Sequence, residues 1–337
     1  MTQLQTTTAT TSTTALRRNR VPSWRTSLLE QQADMWERVR EHGDQIRTRL
    51  SPSATYVLAD AVQWLAELPP NSIHAVVTDP PYGVTEYEDK NHDKLKQGRG
   101  GVWRIPPSFD GAKRRPLPRF TVLTQDEITA LQSFFGALAY GLQRALVPGG
   151  HIFIASNPLL STLTFHAFQR AGLEKRGELI RLVQTFRGGD RPKGAEKEFS
   201  DVSMMARSCW EPWGIFRKPF TGTAAENLRR WGVGGLRRIS EDEPFKDVIT
   251  CSPTRGLERE IAPHPSLKPQ RFMRQVVRAS LPLGIGIVYD PFAGSGSTLA
   301  AAEANGYHAI GTDRDPQYYA LGCKAFSPLA TLAITER

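Results

Sequence analysis

"GIVYDPFAGSGSTLAAAEANGYHAIGTD", residues 286–313, decides how this chain folds. Residues 286–290 run apolar up to an acid and read as a buried strand. A helix begins at about 297, and 308–313 is a second strand ending in Asp313. Two strands joined by a helix are the building unit of a parallel α/β sheet. Gly294 and Gly296 stand at the turn. Lacking a Cβ, they let backbone pass close to a ligand. The helix after them aims its N-terminal amides and positive dipole end at that ligand. An acid at the next strand end suits a ribose diol, which offers two donors. Position 299 is Leu, so the third glycine of Gly-x-Gly-x-x-Gly is missing. That argues against NAD, FAD and a Rossmann oxidoreductase.

A second strand end carries a rigid corner. "VVTDPPYGV" (76–84) closes a strand at 74–79 with Asp79-Pro80-Pro81-Tyr82. The residue before a proline is driven toward extended geometry, and proline fixes φ and donates no hydrogen bond. An acid on a stiff loop at the carboxyl end of a strand is where open α/β sheets place their chemistry.

The alternation continues on both sides. Residues 55–60 read as a strand and 61–68 as a helix, with Asp60 either a helix cap or a group facing a cofactor. Thr124 and Glu127 form a capping-box pattern, and Ile128, Leu131, Phe135, Leu138, Leu142 and Leu146 make one apolar stripe. Pro148-Gly149-Gly150 is expected to stop that helix before a strand at 151–156. A helix at 161–171, a strand at 179–186, and helices at 29–50 and 269–280 complete the reading.

The length of 337 residues holds a full catalytic core with inserts, and 39% are hydrophobic. A net charge of +9 points to a polyanionic partner such as nucleic acid. Cys209, Cys251 and Cys323 lie far apart and form no Cys-x-x-Cys pair. That argues against a metal site or a disulfide framework and for reduced thiols in the cytoplasm, associated with the nucleoid. No apolar run approaches the ~20 residues of a membrane span, and the N-terminus lacks a signal-peptide core.

The chain divides into a disordered basic tail (1–28), a first catalytic part (29–186), an Arg-rich region with weak patterning (187–262), and a second catalytic part (263–337). The first part carries a basic loop at 83–120. Within its residues 94–119, Lys94, Lys96, Arg99, Arg104, Lys113, Arg114, Arg115 and Arg119 stand against one acid, Asp110, with Trp103 and Phe109 between them. That composition suits a loop that grips phosphate. Trp210, Trp213 and Trp231 read as packing residues.

These residues carry a family resemblance. Asp79-Pro80-Pro81-Tyr82 looks like motif IV of the S-adenosylmethionine-dependent amino-methyltransferases of DNA. Phe292-Ala293-Gly294-Ser295-Gly296 looks like their motif I, and "HPSLKP" (264–269) resembles their motif X, His-Pro-Thr-x-Lys-Pro, with Ser266 keeping the hydroxyl of the usual Thr. The order IV, recognition region, X, I is similar to that of the β class and covers residues 55 to 325. The resemblance implies a Rossmann-like methyltransferase fold: α/β, with a mostly parallel central sheet, a circularly permuted motif order and a recognition insert at 187–262. The sheet is expected to run from 286–290 to 308–313, then 55–60, then 74–79.

The resemblance also implies roles. Asp79 and the Pro80 carbonyl would accept hydrogen bonds from the target exocyclic amine on a loop stiffened by Pro81, and Tyr82 would stack on the extruded base. S-adenosylmethionine would lie against Asp290, Phe292, Gly294 and Gly296, with Asp313 on its ribose, Ser266 and Lys268 on its methionine carboxylate, and Asp60 at its adenine end. His264 is left as structural. Lys113, Arg114, Arg115, Arg187, Arg191, Arg229 and Arg230 are candidates to touch nucleic acid. The leading expectation is adenine N6 methylation of duplex DNA. The alternatives are cytosine N4, an RNA substrate with the same core, and a DNA-binding regulator without catalysis. A cognate restriction endonuclease is the protein partner such enzymes imply.

Overall fold

The computed structural model describes residues 22–81, 102–103, 117–118 and 123–334, except 188, 190, 193, 205, 207, 255 and 265. Tyr82 and most of the basic loop, with Lys113, Arg114 and Arg115, lie outside the described residues, as does the tail up to 21.

The centre of the molecule is five parallel strands in the order β2 (Ala54–Leu58), β11 (His308–Asp313), β10 (Ile287–Asp290), β3 (Ile73–Thr78) and β6 (Leu146–Ala155). Every residue of β3 and β10 is buried, as expected of strands with helices on both faces. Beyond β6 the sheet becomes mixed. Strand β8 (Ser208–Arg217) lies antiparallel between β6 and β7 (Glu174–Arg187), and β9 (Val248–Thr250) closes that edge. At the other edge β1 (Arg47–Arg49) pairs antiparallel with β2. The pieces β4 (Val102–Trp103) and β5 (Leu117–Pro118) form a separate two-stranded ladder.

The helices fall into two packed groups. One is α2 (Ala61–Glu67), α3 (Gln125–Ala145) and α4 (Ser161–Arg170); the other is α7 (Gln270–Ser280), α8 (Ser297–Ala304) and α9 (Pro316–Ala330). From β10 the chain crosses through α8 to β11. From β3 it crosses through α3 to β6, in the opposite direction along the sheet. Right-handed crossovers running opposite ways put their helices on opposite faces. The gap between the carboxyl ends of β10 and β3 is therefore the topological switch point, where open α/β sheets bind ligands.

The structure corrects four expectations. Residues 74–79 pair with 287–290, not with 55–60, because the connection from β2 to β3 passes over both β11 and β10. The first helix is α1 (Ser23–Arg40), not 29–50. It starts within the stretch assigned to the tail and is followed by Gly43 at φ 80; Ile46 is exposed and 47–49 form a strand. Pro148-Gly149-Gly150 does not end α3. That helix ends at Ala145 and the strand passes through the three residues, with Gly149 at φ 84 beside the Asn227 side chain, where a Cβ has no room. The strand expected at 179–186 runs from Glu174 to Arg187. The capping box of Thr124 and Glu127 is present as expected.

Candidate active site

Strand β3 delivers Asp79 and Pro80 to the switch point, and β10 delivers Asp290 beside them. Val76 pairs with Tyr289, so both carboxylates lie just past the same edge of the sheet. Asp290 is fully buried. Its Oδ1 accepts from Thr78 Oγ1 at 2.7 Å and from the Phe292 amide at 3.0 Å, and its Oδ2 accepts from Thr298 Oγ1 at 2.5 Å. Burial pushes its carboxyl up to about 6 against the pull of those three donors, with the Asp79 charge adding to the rise. Asp290 therefore shapes the glycine loop from beneath, tying β3, β10 and α8 together, rather than presenting a free carboxylate to a cofactor.

Asp79 is 14% exposed at its side chain, and its Oδ2 accepts from Lys268 Nζ at 2.5 Å. Lys268 is not a solvated lysine: its side chain is 8% exposed and also lies 3.5 Å from Glu211 Oε2. Glu211 stands on β8 directly opposite Arg181 on β7, whose Nη1 is 3.5 Å from the same oxygen. Asp79, Lys268, Glu211 and Arg181 thus form a row of alternating charge across the carboxyl edge of the sheet. Glu211 and Arg181 were not singled out from the sequence. Their only signal was the pairing of opposite charges once β7 and β8 are known to be neighbours.

The glycine loop follows β10. Gly294 has φ 49 and Gly296 φ 77, the left-handed region that favours glycine. A Cβ at 294 would lie 3.2 Å from His264 Nε2. His264, left as structural from the sequence, therefore brings the "HPSLKP" segment against the loop. Its ring packs edge-on to Tyr318 at 4.5 Å, burial lowers it to about 4, and its Nδ1 accepts the Ser266 amide at 3.2 Å. Asp313, at the end of β11, accepts the Gly294 amide at 2.9 Å and the Asp315 amide at 2.9 Å; burial raises its carboxyl. It does not cap α9; Asp315 does. Phe292 is half-buried, with its ring 5.9 Å from Phe134. Asp60 caps α2, accepting from the amides of Val62 and Gln63.

Comparison with known proteins decides the family. The family model described as DNA methylase, of the N6/N4 kind, matches residues 73–324. The chain belongs to this family. The type II methyltransferase M.HindIII of Haemophilus influenzae is 25% identical over 285 residues, 77% of this chain and 91% of that protein. M2.DpnII of Streptococcus pneumoniae is 32% identical over 89 residues, 26% of this chain and 33% of its own. TTHA0409 of Thermus thermophilus, described as a DNA modification methylase, superposes in its S-adenosyl-L-methionine complex with a TM-score of 0.50. It is 19% identical, over 82% of this chain and 95% of that one. The cytosine-N4-specific PvuII DNA methyltransferase reaches 0.54 at 15% identity, over 82% and 87%.

The protein is thus an S-adenosylmethionine-dependent DNA amino-methyltransferase with the α/β sheet of that fold. The glycine loop could hold the cofactor: Gly294 and Gly296 lack a Cβ and take positive φ, the amides opening α8 follow, and half-buried Phe292 would supply an apolar wall. Each Asp313 oxygen takes one backbone amide, and a carboxylate oxygen has room for a second donor such as a ribose hydroxyl.

The candidate DNA-contacting arginines separate. Arg187 ends β7 and exposed Arg191 follows it, so both lie beyond the carboxyl edge that holds Asp79. Exposed Arg229 and Arg230 sit on α5 (Ala224–Trp231), which Asn227 ties to the Pro148 carbonyl at 3.0 Å, the opposite end of the sheet. The structure does not bring them to the site. Trp213 is fully buried, as expected of packing, whereas Trp210 is 37% exposed. Among the described residues no helix is long and apolar enough to cross a membrane.

Proposed function

We propose that the enzyme methylates the exocyclic N6 of adenine in duplex DNA, by direct transfer to a base turned out of the helix. The observation that carries this reading is the position of Asp79, on a Pro-Pro corner at the switch point, one strand away from the glycine loop. An aromatic amine is a poor nucleophile because its lone pair is delocalised into the ring. The Asp79 carboxylate and the Pro80 carbonyl are acceptors for its two N–H groups and draw the nitrogen toward sp³, exposing the pair. The site's carboxylates act in a largely water-excluded setting, where fixed acceptors are worth more than in water. When bound, S-adenosylmethionine supplies a methyl already activated by its sulfonium. As the C–N bond forms, the methyl's bond to sulfur would break with its electron pair staying on the sulfur, and the nitrogen would give up one proton to Asp79, the carboxylate hydrogen-bonded to it. Positioning and electrostatics carry the rest, so no covalent enzyme intermediate is required.

Asp at the first motif IV position favours adenine, since cytosine enzymes of the β class often carry Ser there. The cytosine N4 amine needs the same acceptors and is the second reading. Mass spectrometry of nucleosides from unmethylated duplex DNA incubated with the protein and labelled cofactor separates them. Labelled N6-methyladenine is expected; labelled N4-methylcytosine would keep the acceptor chemistry and change the base. Asp79→Ala is expected to lower transfer by about a hundredfold to a thousandfold while cofactor binding stays intact, the loss of one oxyanion-type contact being worth about 10²–10³. Wild-type transfer by that variant would refute the acceptor role.

A further inference from the structure

We propose that Glu211 is a positioning residue for methyl transfer that acts through Lys268. It offers the Lys268 ammonium a second carboxylate, so that Asp79 can exchange that ammonium for the target amine. The inference rests on the reading of Asp79 as the acceptor of the amine.

Lys268 Nζ lies 2.5 Å from Asp79 Oδ2 and 3.5 Å from Glu211 Oε2. With its side chain 8% exposed, it cannot turn to bulk water when it leaves one carboxylate. A buried ammonium without a partner bears its full desolvation cost. If Asp79 were its only carboxylate, Lys268 would compete with the substrate, because an ammonium binds a carboxylate more strongly than a neutral amine does. Glu211 removes that conflict.

The structure holds Glu211 in place for this role. Its Oε1 accepts from Trp213 Nε1 at 2.8 Å, and the Trp213 ring is fully buried against Phe272 at 5.2 Å. Arg181 faces it across the β7–β8 ladder, is itself buried, and donates to the Ser252 carbonyl at 3.2 Å. Arg181 and Lys268 balance Asp79 and Glu211, so moving Lys268 between carboxylates leaves no net charge stranded. The alternation places the mobile cation next to the group that must receive the substrate and the fixed cation one strand away.

Single-turnover methylation of unmethylated plasmid DNA by the full-length protein tests this, with cofactor affinity and thermal melting as companions. Asp79→Ala, which removes the acceptor, comes first: if it turns over at the wild-type rate, the acceptor reading fails and takes the inference with it. With that variant inactive, Glu211 is judged alone. Glu211→Gln keeps the shape and an acceptor for Trp213 but removes the charge. Its rate is expected to fall about tenfold or more, with cofactor affinity within about threefold and melting little changed. Glu211→Asp, which keeps the charge, is expected to stay closer to wild type than Gln; a packing role predicts the reverse ranking. On a Lys268→Met background Glu211→Gln is expected to cost less than about twofold, since residues that act through one another are non-additive. A Gln variant within about twofold of wild type, Asp no better than Gln, or the full loss repeated without Lys268 would each overturn the proposal. Where Lys268→Met has no measurable rate, the Asp-against-Gln ranking decides.

Discussion

At the scale of single residues, the site depends on carboxylates whose environments differ. Asp290 is buried among Thr78, Thr298 and the Phe292 amide, and burial lifts it from the usual carboxylate range to about 6. A carboxyl raised in the folded state is neutral there while the unfolded chain has already ionised. Its contribution to stability is therefore present at low pH and is lost as pH rises from about 4 to about 6. At about 1.4 kcal/mol per pH unit, the loss is about 3 kcal/mol. Asp290→Asn should flatten that part of the profile, read as the difference in urea unfolding free energy between pH 4.5 and pH 7 for variant and wild type; equal slopes would place the titration elsewhere. Gly294 carries a different constraint. At φ 49, with a Cβ contact of 3.2 Å to His264 Nε2, an alanine there is strained and pushes on the "HPSLKP" segment. Gly294→Ala should weaken S-adenosylmethionine binding by about tenfold, the left-handed conformation alone costing roughly 1–2 kcal/mol. Titration calorimetry reads this directly, and unchanged affinity would remove the loop from the cofactor site.

At the scale of elements, the sequence was most legible where one segment settles its own structure. The β10–α8–β11 unit and the end of β3 stand where their patterns place them, because apolar strands, glycine turns and proline corners are local chemistry. Strand β8 was not legible. Pro212 and Gly214 interrupt it, and both are disfavoured in a strand interior. It is a strand because its neighbours make it one: Trp213, Ile215 and Phe216 are buried between β6 and β7, and the Pro212 carbonyl accepts the Ser156 amide at 2.9 Å. The end of α3 was misread for the opposite reason, since Leu146 and Val147 are already drawn into the sheet and the strand runs on through Pro148-Gly149-Gly150. The start of α3 is a purely local device, with Glu127 N donating to Thr124 Oγ1 at 3.3 Å and Glu127 Oε2 taking the Thr124 amide at 2.6 Å. Thr124→Ala should cost about 1 kcal/mol, and melting should fall by a few degrees, roughly 2–4 °C for a chain of this class. A loss of methylation at unchanged melting would mean that this turn also serves the site, to which no hydrogen bond of Thr124 reaches among the described residues.

At the scale of the whole molecule, what escaped the sequence is what depends on distant segments meeting. Lys268 lies 189 positions from Asp79, and nothing local predicts that a motif lysine closes onto the motif acid. The order of the sheet was equally hidden, because β2–α2–β3 reads the same whether β3 lands beside β2 or crosses to the far side of β10. Charge, by contrast, is legible at this scale. The chain carries +9, the basic stretch 94–119 follows the Asp-Pro-Pro-Tyr corner in sequence, and Arg187 and Arg191 lie past the edge of the sheet that holds Asp79. Basic residues thus flank the Asp79 corner in sequence and along the sheet edge, while the candidate cofactor cradle offers amides, an aromatic ring and the half-buried Asp313 carboxylate. The two binding equilibria should respond differently to salt. DNA binding releases counterions, so neutralising about four phosphates makes the affinity fall on the order of a hundredfold between 50 and 200 mM salt. Cofactor binding should move by less than about twofold over that range, since buried groups are screened little. Fluorescence anisotropy of labelled duplex alongside calorimetry of the cofactor compares the two. Parallel salt dependence would mean that the basic surface serves the cofactor, and a flat DNA response would mean that contacts other than phosphates dominate.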